Sequence, residues 1–588
     1  MKNTIYPLLA LLLIFSAGCK TKDSSTKTLK KDFNIEAAYL LLPIQDESPE
    51  VKVSVTYPDS ISESPYFIRL AQDSIDYWVK LDVKNYKGKT VSLEFEGLEK
   101  NSFALKNIKQ SDSFDFEYQE KYRPAYHFTP EYGWMNDPNG MVYLDGEYHL
   151  FYQYNPFGAV WGNMHWGHAV STDLTSWTYL PVAIAPDSLG AIFSGSAVID
   201  KNNTAGFGKD AMIAIYTSAG KVQTQSIAYS TDKGRTFTKY DKNPVIANPD
   251  IPDFRDPKVF WHKETNQWVM ALATKQTITF YGSPNLKEWT KLSEIGEGIG
   301  AHGGVWECPD LFPLTYQGKT KWVLLVSINP GGPNGGSATQ YFIGDFDGKT
   351  FKPDALPYPL WIDYGRDNYA GVTWSNIPEA DGRTIFIGWM SNWDYANQVP
   401  SKYFRSANTV PRELKLASNG NHMIVTSYPV KEMNALKNDK INSPEDVTVE
   451  NEYRIENLLD ENEGTYEIEL TLTPNAAEIF GFSLENTKNE KVEVKFDKQV
   501  KQITMDRRSS GLTAFKDNFA SEMKAPLTDR KDYRIRLLVD KASAELFVNE
   551  GETVMTSIFF PTENMNSLKL FTSKGEIKVS GIKISGIN

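Results

Sequence analysis

Three acidic residues in this sequence stand in closely similar settings. Asp137 lies in the run Trp134-Met135-Asn136-Asp137-Pro138-Asn139-Gly140, Asp256 in Phe254-Arg255-Asp256-Pro257, and Glu307 in Trp306-Glu307-Cys308-Pro309-Asp310. Each acid has a proline close behind it and an apolar run after that. Taken alone, Asp-Pro-Asn-Gly reads as turn punctuation with Asp137 as its cap. Three copies of one layout point instead to a single site built from several copies of one structural unit. Two carboxyl groups on either side of a bond can divide the work of cleaving it. The protonated one donates to the leaving oxygen, and the ionised one attacks or supports the carbon. Asp137 and Glu307 are the candidate pair, with Asp256 as a third carboxyl group.

The residues that rival chemistries need are scarce. The chain has seven histidines, none paired at metal-site spacing. No Gly-x-Ser-x-Gly elbow occurs, and Ser194-Gly195-Ser196 has no helical pattern after it. No phosphate-binding loop is present, and the glycine-rich run 331–336 reads as a connection between strands. No metal and no cofactor are expected. A formal net charge of −12 disfavours nucleic acid or an anionic membrane surface as the main partner. The many aromatics (14 Trp, 30 Tyr, 31 Phe) suit sugar rings and an all-β core equally well.

The elements that must position the three acids repeat. Ser171-Thr172-Asp173 leading to Trp177 recurs as Ser230-Thr231-Asp232 leading to Phe237, then as Ser283-Pro284-Asn285 leading to Trp289, and as Asp345-Phe346-Asp347 leading to Phe351. The period is roughly 50–60 residues, close to that of a four-stranded propeller blade. Asp137, Ser194, Asp256, Glu307 and Tyr369 each fall at or just before an apolar strand, one per unit. The fold class expected is therefore all-β: a five-bladed β-propeller over 126–430, followed by a β-sandwich over 440–588. A small N-terminal β accessory domain over 32–122 precedes them, with a spacer or packing role at least as apt as sugar binding. In a propeller the first strand of every blade lines the axis, so residues distant in sequence converge on one funnel.

The N-terminus carries an address. Residues 7–17 form an apolar run too short to span a bilayer, so 1–18 read as a signal peptide. Ser16-Ala17-Gly18-Cys19 resembles a bacterial lipobox, which implies lipidation at Cys19; the alternative is an ordinary signal peptide with a chance cysteine. Residues 19–31 read as a polar tether. An exported bacterial lipoprotein of the cell envelope is expected, touching membrane only through Cys19. Cys308 is the other of two cysteines, so a lipidated Cys19 leaves no internal disulfide.

From about residue 126 to the C-terminus the chain resembles glycoside hydrolase family 32, the β-fructofuranosidases. The motifs are WMNDPNG at 134–140, QYNP at 153–156, FSGS at 193–196, FRDP at 254–257 and WECPD at 306–310. The resemblance implies a retaining hydrolase acting through a covalent fructosyl-enzyme. It makes Asp137 the nucleophile, Glu307 the general acid/base and Asp256 the stabiliser of the transition state. Arg255 resembles a charge partner that keeps Asp256 ionised. Asn136 and Gln153 resemble hydroxyl ligands, and Trp161, Phe193 and Ser194 walls of the fructosyl pocket. Asp367 and Tyr369 resemble residues placed beside it. Trp389 and Trp393 could stack at the rim but suit the core better, and Cys308 reads as packing. The substrates implied are fructans such as levan or inulin, and sucrose, with exo attack favoured and a monomer expected. An endo-acting fructanase, a fructosyltransferase, a silent fructan binder and an arabinan- or xylan-cutting neighbour are the alternatives.

Overall fold

The computed structural model describes residues 28–58, 64–459 and 463–588. It is a β protein, with Phe103–Asn107 the one α-helix among the described residues. Five antiparallel sheets follow one another between residues 133 and 429. Their first strands are Gly133–Leu144, Ala191–Asp200, Phe254–His262, Val305–Tyr316 and Tyr369–Thr373. Each later strand of a blade pairs outward from the one before it, as in Phe254–His262, Gln267–Thr274, Thr277–Ser283 and Thr290–Ile295.

The first strands pack against one another in chain order, and the fifth returns to the first. Backbone bonds seal that return: Tyr143 N to Ser375 O at 3.0 Å and Ser375 N to Met141 O at 3.0 Å. Phe404–Arg405 then pairs in parallel with Gly133 and Trp134, so late chain closes the ring onto early chain. The result is a five-bladed propeller. Inner strands such as Ala211–Ala219 and Gln267–Thr274 are buried on both faces, which explains why they read as continuous apolar runs.

The repeated Ser-x-Asp segments have a local cause. Ser171 Oγ donates to Asp173 Oδ1 at 3.0 Å and accepts from Leu174 N at 2.8 Å. Ser230 and Asp232 repeat the pattern, and Asp347 Oδ1 accepts from Lys349 N and Thr350 N at 2.9 and 2.7 Å. These side chains close the turn before the outermost strand of a blade, satisfying backbone donors that no ladder reaches.

After the propeller come two facing sheets, one of them ending in Ile577–Ile587, with Leu470, Phe480, Leu546 and Leu570 among the side chains between them. Buried charges tie this sandwich to the propeller. His127 bridges Asp540 (Nδ1, 2.8 Å) and Glu545 (Nε2, 2.8 Å), and Arg412 joins Glu545 to Asp363. Burial pushes the His127 imidazolium down, but its bonds to the two carboxylates outweigh that and hold its pKa at about 9.

Two further sheets precede the propeller: Thr28–Asn34, Thr90–Glu96, Val51–Thr56 and Tyr66–Ile68 in one, Tyr77–Asp82, Tyr39–Ile44 and Lys109–Ser111 in the other. One expectation needs correcting here. Residues 28–31, read as part of the tether, belong to strand Thr28–Asn34, which pairs with Thr90–Glu96. The polar lysines hid a strand whose other face is covered. The signal peptide, Cys19 and the rest of the tether lie outside the described residues.

Candidate active site

Each of the five first strands breaks its ladder at the residue expected in the site. The register shifts fall between Met135 and Pro138, Ile192 and Gly195, Arg255 and Lys258, Glu307 and Asp310, and Tyr369 and Val372. A bulge re-aims a side chain and leaves a backbone amide without a ladder partner. That is why a proline is tolerated there: Pro138, Pro257 and Pro309 have no N–H to lose. The acid-then-proline pattern of the sequence is thus a bulge, repeated, and it turns each acid toward the axis. Asp256 and Cys308 take left-handed backbone (φ 66° and 45°), costly conformations that cluster at functional sites.

The three acids share partners. Asp137 accepts from Asn136 Nδ2 at 3.0 Å and from Ser194 Oγ at 2.7 Å. Asn136 is itself set by Trp134 Nε1, which donates to Oδ1 at 2.8 Å. Asp256 Oδ2 accepts from the Cys308 amide at 3.0 Å. The Cys308 thiol lies 3.5 Å from Asp137 Oδ2 and 3.5 Å from Asp256 Oδ2. Glu307 Oε1 accepts from Arg255 Nε and Nη2 at 3.0 and 2.9 Å, and Oε2 accepts from the Tyr369 hydroxyl.

Burial, and then the nearby charge of Glu307, raises the pKa of Asp137; Ser194, Asn136 and Cys308 oppose the shift. Burial raises Asp256 to about 7 against the opposing charge of Arg255, with Glu307 and Asp137 adding to the rise. Burial and the Asp137 charge push the Cys308 thiol well above its ordinary range, so it is a protonated donor, not a nucleophile.

Trp161 is 45% exposed and meets the Phe193 ring edge-on at 6.3 Å, and Phe193 adjoins Ser194, which bonds Asp137. Gln153 is buried on the adjoining strand Glu147–Asn155 with its Nε2 unbonded, a donor left open. Trp389 is fully buried, and Trp393 stacks on Trp134 at 5.9 Å; both belong to the packing beneath the site.

One expectation is corrected. Asp367 is not beside the pocket. It is fully buried and accepts from Arg507 Nη1 and Tyr395 OH, both at 2.6 Å, and from the Ile558 amide at 3.0 Å. It joins propeller to sandwich, and no sequence spacing reveals a partner 140 residues away. Arg255 acts as a charge partner of Asp256, its positive charge opposing the rise that burial imposes on that carboxyl group. Its guanidinium bonds Glu307 and, at 2.6 Å, Asp253, and it reaches Asp256 only through space. Cys308, read as packing, is the hydrogen-bonding bridge between two acids. Its place between Glu307 and Asp310 was the only signal.

Just behind the trio the axis is filled. Lys258, two residues past Asp256, donates from Nζ to Asp310 Oδ2 at 3.0 Å and to Thr373 O at 2.7 Å. Thr373 bonds the same Asp310 oxygen through N and Oγ1 at 2.6 and 2.7 Å. All three are buried. A cavity of about 580 Å³ at the opposite end of these strands, lined by Trp261, Trp322 and Asn376 among others, contains none of the trio.

Three carboxyl groups converging from separate blades on one funnel, with an arginine and a tyrosine bonded to one of them, are the makings of a glycoside hydrolase. Residues 127–427 match the glycosyl hydrolases family 32 N-terminal domain and 432–586 the family 32 C-terminal domain; 25–126 match a domain of unknown function, DUF4980. The chain is 49% identical to a levanase of Bacillus subtilis over 480 residues, covering 79% of this chain and 70% of that one. It is 40% identical to an extracellular exo-inulinase of Aspergillus awamori over 510 residues, covering 79% and 94%. The crystal structure of the Aspergillus awamori exo-inulinase superposes with a TM-score of 0.74 at 37% identity, over 80% of this chain and 99% of that one. A fructofuranosidase of Schwanniomyces occidentalis complexed with fructose gives 0.71 at 33% identity, over 81% and 100%. The chain belongs to glycoside hydrolase family 32 and is a glycosidase.

Proposed function

We propose that this enzyme releases fructose from the ends of β-fructofuranosides, fructans of the levan or inulin kind and sucrose, with retention at the anomeric carbon. The observation that carries the reading is the carboxylate trio in a funnel filled behind it by Lys258, Asp310 and Thr373. Closure behind the trio means that substrate enters from one side, which suits a chain end. The relatives' names, levanase and exo-inulinase, agree with it.

Asp137 attacks C2 of the terminal fructosyl unit, and Glu307 protonates the leaving oxygen. Glu307 then takes a proton from water as the hydroxide displaces Asp137. Arg255 and Tyr369 hold one Glu307 oxygen each and so keep it oriented while it loses and regains its proton. Ser194 and Asn136 fix the Asp137 carboxylate for in-line attack. Asp256 accepts from fructose hydroxyls and offsets the positive charge that develops at C2. Gln153 offers its open amide to another hydroxyl, and Trp161 with Phe193 walls the ring. A chromatographic time course on levan, inulin and sucrose tests the reading. Free fructose is the first product expected; a ladder of oligosaccharides without fructose would mean endo attack, and chain growth at high sucrose would mean a transferase.

The chain divides into an N-terminal β-domain that begins at strand Thr28–Asn34 and runs to about 122, the catalytic propeller at 126–430 and a sandwich at 440–588. The whole is exported and anchored through lipid at Cys19 after removal of 1–18. Release of full-length protein without detergent, equal for wild type and Cys19→Ala, would refute the anchor.

A further inference from the structure

The loop at 156–164, between strands Glu147–Asn155 and His165–Ser171, carries Trp161, whose ring meets Phe193 beside the Ser194 that bonds Asp137 and which the proposed function makes a wall of the pocket. Within the propeller Trp161 N donates to Asn397 Oδ1 at 3.0 Å, and Arg405 Nη1 and Asn155 Nδ2 donate to Ala159 O and Val160 O at 2.9 and 2.8 Å; further contacts run into the N-terminal domain. Asn163 makes a two-way amide clasp with edge strand Tyr66–Ile68: its Oδ1 accepts from Phe67 N at 2.8 Å and its Nδ2 donates to Phe67 O at 2.8 Å. The same Nδ2 donates to Asn155 Oδ1 at 3.2 Å, tying the loop back to its own root. The Tyr77 hydroxyl accepts from Ala159 N at 3.1 Å while donating to Asp46 at 2.7 Å. Phe157 is buried in the core of the N-terminal domain, with its ring 4.4 Å from that of Tyr66. On the other side Gly158 O accepts from Trp134 N at 3.0 Å, on the strand that holds Asp137. The loop is thus gripped between an accessory domain and the catalytic strand.

We infer that the N-terminal domain, which matches a family of unknown function, serves as a brace that fixes Trp161 as a wall of the pocket, with Asn163 and Tyr77 as its positioning residues. A nine-residue loop that holds an exposed indole loses conformational freedom when substrate binds. Contacts made beforehand by another domain remove that cost and strengthen binding without touching substrate. The clasp also engages the backbone N–H and C=O of Phe67 on strand Tyr66–Ile68. The substrate part of this inference rests on the fructosidase reading above.

The test is a double-mutant cycle between the clasp and the indole. Asn163 has left-handed backbone (φ 45°), so Asn163→Gly removes the side chain without straining the turn. On sucrose and on a fructan, Trp161→Ala and Asn163→Gly should each raise KM about tenfold with kcat changed far less, as for lost uniform binding. The double variant should be no worse than Trp161→Ala, because the clasp acts through the indole. Asn163→Asp keeps the acceptor for Phe67 N and should recover part of the loss. Tyr77→Phe should mimic Asn163→Gly more weakly. Fully additive KM effects, or a wild-type KM with only a lowered Tm, would overturn the brace. Amide exchange of 157–163 separates this outcome from failure of the fructosidase reading. If the wild type releases no fructose, faster exchange there in Asn163→Gly still supports the brace, and unchanged exchange refutes it.

Discussion

Arg255 donates twice to a single oxygen of Glu307, from Nε at 3.0 Å and from Nη2 at 2.9 Å, while its third nitrogen holds Asp253. A planar fork fixes the carboxyl group in direction as well as in charge, which a lysine cannot do. Arg255→Lys should therefore lower kcat/KM on sucrose by about tenfold or more with little change in Tm. A loss below twofold in steady-state assays would mean that the fork does not orient the acid.

Glu307→Ala removes proton donation to the leaving oxygen. The loss on sucrose should reach about 10²–10⁴-fold, the usual worth of a general acid. An aryl fructoside with a good leaving group needs no such proton, so its first step should survive far better. Equal losses on both substrates would refute the role given to Glu307.

Asp256→Asn keeps shape and loses charge. Its kcat should fall much more than its substrate affinity, as for an interaction made mainly in the transition state. The same change should stabilise the fold at alkaline pH. The carboxyl group's folded pKa of about 7 lies above its ordinary value near about 4. Its contribution to stability is then complete below pH ~4 and lost as the pH rises through 7. The asparagine variant has no such loss, so its Tm advantage should grow between pH 4 and 8; calorimetry that finds it flat or falling refutes the assignment.

His127 has the same sign of shift from the other side of neutrality. Its folded pKa of about 9 exceeds the ordinary value near about 6.5, so its stabilising charge is fully present below 6.5 and lost as pH rises through 9. His127→Gln leaves Asp540 and Glu545 buried without that charge and should cost about 3–5 kcal/mol. The variant's Tm should be lower at pH 6 and should decline less than the wild type's between 6.5 and 9. Parallel Tm curves for the two proteins would contradict this.

Much of the catalytic half was legible because its chemistry is local. The residues flanking Asp137, Asp256 and Glu307 carry both the acid and the bulge that aims it, and the turn repeats mark the blades. What sequence hid was decided across distance. Asp367 has the local setting of a pocket residue, yet Arg507 and the Ile558 amide claim it from the sandwich. Arg255 acts on Asp256 through charge as their adjacency suggests, but its bonds to Glu307 on the next blade were not legible in the chain. Cys308 looks like a small apolar filler until two carboxylates are found at its thiol. The strand at 28–34 was masked by its lysines, because half of an edge strand faces water.

The knot of Lys258, Asp310 and Thr373 leaves the site with one doorway. Under the proposed fructosidase reading, a fructose freed at Asp137 would go out by the route the next chain end uses to come in. On that reading each cut would end one visit, because the shortened polymer has to back away before the monosaccharide behind it can leave.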